Sequence, residues 1–155
     1  MSRPFAREVA MKLLYSRMME GEATPEAICE QSGIPAESIW TPQTENRSDC
    51  DKASKLAFDR DDYEFAESIA AGVAAHEEEL DALISRFAKD WSITRLSRVD
   101  LTILRISAYE LLYRPDVPRA SSIDAAVELA KTYGGEKSAP FINGILGSVE
   151  RETAK

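Results

Sequence analysis

The chain has 155 residues, of which 44% are hydrophobic and 30% charged, enough for one domain built on one core or on two small cores that share it. Its longest apolar runs, such as residues 69–75, are far shorter than the roughly 18 residues that cross a membrane, and the amino terminus enters charged, periodic sequence with no signal-peptide pattern. The net charge of −8 argues against a uniformly basic nucleic-acid surface, but the acid is confined to residues 20–81, which carry 17 acidic side chains against Arg47, Lys52, Lys55 and Arg60. Residues 1–19 stand at +3 and residues 82–155 at +2, which leaves a phosphate-binding face built from both chain ends open.

Pro4 to about Glu20 reads as an amphipathic helix, with Phe5, Ala6, Val9, Ala10, Leu13, Leu14, Met18 and Met19 recurring at three- and four-residue spacing. Pro4 suits a first helical turn, where the missing amide would be unpaired anyway. Thr24-Pro25-Glu26 opens a short second helix that stops at Gly33. Residues 34–59 hold Pro35, Pro42, Asn46, Ser48 and Asp49 and lose the period, so this stretch is expected to be a flexible excursion with at most a helical turn near 52–57.

The helical period returns over 61–90 with Phe65, Ile69, Val73, Leu80, Leu83, Ile84 and Phe87, and its length, Gly72 and the His76-to-Glu79 stretch predict a break into two helices. Ser97 is placed to cap a helix running through Tyr113, with Asp100 in its first turn. That helix is apolar on more than one side, so it belongs in the middle of the fold. Pro115 and Pro118 end it, Ser121 or Ser122 is expected to cap the next, and Gly134-Gly135 stops that one. Ser138-Ala-Pro-Phe141 begins the last helix, buried through Ile142, Ile145, Leu146 and Val149. With no sustained period-two alternation, the fold reads as all-α, with six to eight helices over a single domain 1–155.

Cys29, Cys50 and a single histidine, His76, cannot supply a structural zinc site or a disulfide scaffold. Both thiols are expected to be free, and His76 to lie on a helix surface. There is no Gly-rich phosphate loop, metal-ligand spacing or nucleophile motif, so no cofactor, metal or catalytic activity is expected. The chain is read as cytoplasmic.

The run 91–113, then Asp116-Val-Pro118, Ile123 to Lys131 and Phe141-Ile-Asn-Gly-Ile-Leu146, resembles the NusB family of transcription antitermination factors. Ala6-Arg-Glu-Val-Ala10, Leu14-Tyr15 and Gly72-Val73 before Glu79-Leu-Asp81 fit the same pattern, and the likeness covers nearly the whole chain outside 34–59. The resemblance implies an all-α fold of two small helical bundles packed across each other, without catalysis. It also implies two partners, single-stranded boxA RNA of ribosomal RNA transcripts and the small-subunit ribosomal protein NusE, within the RNA polymerase antitermination complex; no membrane partner is implied, and a homodimer is compatible with it.

The residues fit that chemistry. Arg3 and Arg7, four apart on the first helix, are expected to face solvent, where guanidinium forks meet phosphates bidentately, and Lys12 joins them on the same helix. Tyr15 and Phe141 offer rings for stacking unpaired bases. Phe141 and Asn143 match the family's Phe-x-Asn-Gly motif at a helix start, where phosphate is favoured, and Lys137 lies just before them. For the protein partner, the candidate residues are Arg95, Arg98 and Asp100, charged groups in a tight loop and cap. Family members often carry a denser arginine run at the amino terminus, where this chain has Pro4, Phe5 and Ala6 between Arg3 and Arg7. Fewer phosphate contacts mean weaker unaided binding and a shallower salt dependence. Two other readings stay open: an RNA-binding accessory module of the kind attached to rRNA cytosine methyltransferases, for which no α/β cofactor domain is visible, and a helical protein adaptor with weak or lost RNA binding.

Overall fold

A computed structural model describes residues 3–43, 56–88 and 96–154. Among them are seven α-helices, α1 (Arg3–Met18), α2 (Pro25–Gln31), α3 (Arg60–Ala75), α4 (Glu77–Phe87), α5 (Arg98–Tyr113), α6 (Arg119–Tyr133) and α7 (Ser138–Thr153), and a 3-10 turn at Ala36–Ser38. The described residues form no strand, only an isolated parallel bridge between Ile39 and Phe58. The chain divides into two compact units, Met1–Ala70 and Ala71–Lys155.

In the first unit, α1 packs on α2 and buries Ala6, Val9, Ala10, Leu13 and Leu14, as its spacing requires, while Met19 beyond its end is exposed. Thr24 caps α2, its hydroxyl accepting from the Ala27 N–H. Asp59 and Asp62 exchange bonds at the start of α3, each carboxylate accepting the other's backbone N–H at 2.9 and 3.1 Å, the reciprocal logic of a capping box. The expectation of a flexible excursion over 34–59 fails at both its ends. Ile39, Trp40 and Phe58 are buried, and the Trp40 and Phe58 amides donate to the carbonyls of Phe58 and Ser38. Phe58 meets the edge of Phe5 at 5.8 Å, and Trp40 the ring of Tyr63 at 5.2 Å. Aromatic anchoring of a segment poor in periodicity explains the miss. Residues 44–55 of the excursion, including most of the turn expected near 52–57 and Cys50, lie outside the described residues. Cys29 is a free, buried thiol.

In the second unit, α5 packs on α4, α6 and α7 and is buried almost without interruption from Leu101 to Ala108, so it is the central helix its pattern predicts. The Ser97 hydroxyl caps it, accepting the Asp100 N–H at 3.0 Å. Arg105 is buried on α5 and grips Asp81 of α4 through two bonds of 2.7 and 2.8 Å, with Glu77 at 3.1 Å, the bidentate pairing that makes a buried guanidinium tolerable. The expected break between α3 and α4 falls at His76, the start of the charged stretch that marks it in the sequence, and Gly72 is not part of it. Gly72 lies within α3, and a Cβ there would overlap the Tyr109 ring, so the glycine serves close packing. Nor does Ser121 or Ser122 cap α6, which starts earlier, at Arg119. Ser122 is instead buried between Ser107 Oγ (2.9 Å) and Glu110 Oε1 (3.1 Å). Gly134 ends α6 and Ser138 begins α7, as expected.

Candidate functional site

The cations of α1 do not share one solvent face. The Arg3 side chain lies outside the described residues. Arg7 is only 6% exposed, its guanidinium over the Phe65 ring at 5.4 Å from the centroid, which corrects the expectation that it faces solvent. Position 7 falls beside the buried Ala6 and Ala10 positions, and a planar, weakly hydrated guanidinium can be buried flat on an aromatic face where an ammonium would not. Lys12 is half-buried and Tyr15 is 37% exposed, one of the few large apolar side chains left open. On an α-helix Lys12 and Tyr15 are about 60° apart, whereas Arg7 and Lys12 are separated by roughly 140°. The helix thus sets Lys12 beside Tyr15, while Arg7, about 80° from Tyr15, is taken out of the solvent-facing set by its burial on Phe65.

In the second unit, Lys137 is exposed immediately before α7, with no side chain capping that helix. A cation beside the positive end of a helix dipole strengthens the local positive potential, an arrangement favourable to an anion. Phe141, one turn on, is half-buried, and Asn143 and Gly144 are exposed. Arg98 is exposed at the start of α5, and Arg95 lies outside the described residues, as does Trp91. Asp100 is half-buried and points inward, its Oδ2 accepting the Ser138 hydroxyl at 3.0 Å. The sequence places Ser138 at a helix start and shows no partner for it, because nothing local tells which side chain of another helix it meets.

A second surface was not anticipated. His76, expected to be a plain surface residue, stacks on Tyr113 at 4.3 Å and lies 6.0 Å from Tyr109, and the Tyr113 hydroxyl donates to Glu79 at 2.7 Å. That hydrogen bond to a carboxylate raises the Tyr113 phenol above its usual range. The four-residue spacing of Tyr109 and Tyr113 was the visible signal; their meeting with His76 was not. No group of three His, Cys, Asp or Glu suited to a metal ion occurs among the described residues, and no described helix is long and apolar enough to cross a membrane.

The sequence profile of the NusB family matches residues 5–151. The chain belongs to the NusB family. The match begins after Arg3 and includes Phe141-Ile-Asn-Gly144. The chain is 38% identical to the transcription antitermination protein NusB of Clostridium botulinum (strain Kyoto / Type A2), with 96% of this chain and 99% of that protein covered. It is similar to a solved structure of T. maritima NusB, at 32% identity and a TM-score of 0.73, covering 100% of this chain and 94% of that one. It is also similar to a chain in a crystal structure of antitermination factors NusB and NusE in complex with dsRNA, at 25% identity and a TM-score of 0.68, covering 98% and 99%. The all-α fold read from the sequence is the fold of these NusB relatives.

Proposed function

We propose that this NusB family member is a non-catalytic, cytoplasmic transcription antitermination factor that binds single-stranded boxA RNA of ribosomal RNA transcripts together with NusE. It acts in this reading within the RNA polymerase antitermination complex. The observation that carries the proposal is the near full-length likeness to a chain solved with NusE and dsRNA; that the strand bound is single-stranded boxA rests on the family resemblance and on the exposed Tyr15 and half-buried Phe141 rings. Two sets of RNA contacts follow, one on each unit: Lys12 and Tyr15 on α1, with Arg3 as a separate phosphate contact at the start of that helix, and Lys137, Phe141 and Asn143 at the start of α7. Arg7 supports the first set from within, holding α1 against Phe65. Exposed Arg98, with Arg95, is assigned to the protein partner.

The test is a titration of labelled boxA RNA with and without NusE at several salt concentrations, beside a scrambled single strand and a duplex of the same sequence. Tighter binding of the boxA strand than of either control, strengthened by NusE, supports the proposal. The burial of Arg7 favours a second reading, a helical adaptor that has lost RNA binding. NusE binding with no preference for boxA RNA would establish the adaptor and overturn the first reading.

A further inference from the structure

The turn between α6 and α7 is tied to the first turn of α5 by one hydroxyl. Ser138 Oγ accepts the Gly135 N–H at 2.9 Å and donates to Asp100 Oδ2 at 3.0 Å, so both its hydrogen-bonding functions are used in a side chain only 7% exposed. Asp100 is held in turn by Ser97, which accepts its backbone N–H. The turn has little slack, since a Cβ on Gly134 would lie 2.6 Å from Ser138 Cβ and 2.7 Å from the Ala130 carbonyl oxygen.

The other oxygen of Asp100 shows that this arrangement is not a by-product of helix capping. Oδ1 is turned inward as well, buried and with no hydrogen-bond partner among the described residues, and taking a carboxylate out of water carries a desolvation cost. Ser97 already caps α5, and an acid in the first turn complements the helix dipole equally well from a solvated position. Turning the carboxylate inward therefore needs another gain, and what it gains here is the fixed Ser138 hydroxyl. Ser138 stands between Lys137 and, one turn on, Phe141.

We propose that Asp100 is a positioning residue: through Ser138 it fixes the Gly134–Lys137 turn and thereby the placement of Lys137 and Phe141 against single-stranded RNA. The inference rests on the RNA-binding reading above. It moves Asp100 from the protein partner's contacts to the RNA side.

The experiment compares the parent with Asp100→Ala, Asp100→Asn, Ser138→Ala and the double alanine variant. Affinity for labelled boxA RNA is measured with NusE present, affinity for NusE without RNA, and hydrogen exchange at the Gly135 amide. Asp100→Ala and Ser138→Ala should each weaken RNA binding roughly tenfold, the scale of one charge-assisted hydrogen bond. The double variant should lose no more than either single, because both cut one linkage. Asp100→Asn, which keeps an acceptor oxygen, should recover most of the affinity, and the Gly135 amide should exchange faster in Ser138→Ala. NusE affinity should stay at the parent value throughout, which a general loss of folding would not allow. If Asp100→Ala does not fold, Ser138→Ala and Asp100→Asn carry the same comparison. Unchanged RNA affinity in Ser138→Ala with faster Gly135 exchange would overturn the positioning role, as would a loss confined to NusE affinity. Failure of the parent itself to bind the RNA is a different result and removes the reading beneath the inference.

Discussion

At the scale of the residue, burial rather than charge decides how the first helix uses its cations. Arg7 lies over Phe65 with its aliphatic stem enclosed, so Arg7→Ala should lower unfolding free energy by about 1–2 kcal/mol through lost cation–π and stem contacts. Equal denaturant midpoints for parent and variant would return Arg7 to the solvent face. The same unit holds two acids whose neutral forms the fold protects. Burial, with help from Glu26, Asp62 and Glu30, pushes the Cys29 thiol from 9.0 up to about 12, and burial beside Glu26 and Glu67 pushes the Tyr63 phenol from 10.0 up to about 12. Between the ordinary and raised values the native protein keeps protons that the unfolded chain releases, so stability is lost as pH rises through that window. The melting temperature should fall from about pH 9 upward, and Cys29→Ala should flatten the first part of the fall. A parent curve that is level to pH 11 would contradict the burial of both groups. For the same reason Cys29 should resist a thiol reagent at pH 8 until the protein unfolds.

At the scale of the element, the second unit depends on α5. Leu104 is fully buried on it, and Leu104→Ala should cost about 2–5 kcal/mol, much of a typical domain's stability. A small change in denaturant midpoint would make α5 peripheral. Where α3 meets α5, Gly72→Ala should cost about 1–3 kcal/mol by forcing the Tyr109 ring aside. In a Tyr109→Ala background most of that cost should vanish, and additive losses would rule out the close approach as its cause. These two positions show what the sequence made legible. The helices were readable because periodicity and caps such as Ser97 are local, and the central place of α5 followed from its apolar faces. Gly72 looked like a break and Arg7 like a surface cation because each is explained only by an aromatic ring distant in sequence. Trp40 and Phe58 were lost for the same reason: two single aromatic residues in aperiodic sequence give no sign that they will anchor it. In the candidate site, Lys137 and Phe141 are proposed from a local motif, whereas the Asp100–Ser138 link joins residues 38 positions apart.

At the scale of the whole molecule, a net charge of −8 limits how much of the RNA affinity can come from general attraction. Binding must then combine a few local phosphate contacts with contacts that carry no charge, and salt separates the two. Each phosphate neutralised on a single strand contributes about 0.7 to the slope of log affinity against log salt concentration. Lys12→Ala and Lys137→Ala should therefore each lower the slope by about 0.7, weakening boxA and scrambled RNA alike. Phe141→Ala should behave differently. Stacking a base on an aromatic ring is worth about 1–3 kcal/mol, a roughly five- to 150-fold loss of affinity when the ring is removed, and it releases no counterions. The Phe141→Ala slope should match the parent's while the whole line is displaced to weaker binding. Because Phe141 is only half-buried, melting should change by less than the about 3–5 kcal/mol of a fully buried phenylalanine implies. A variant that melts far below the parent, yet binds RNA normally in its folded fraction, would place the ring in the core and leave the α7 contacts to Lys137 and Asn143.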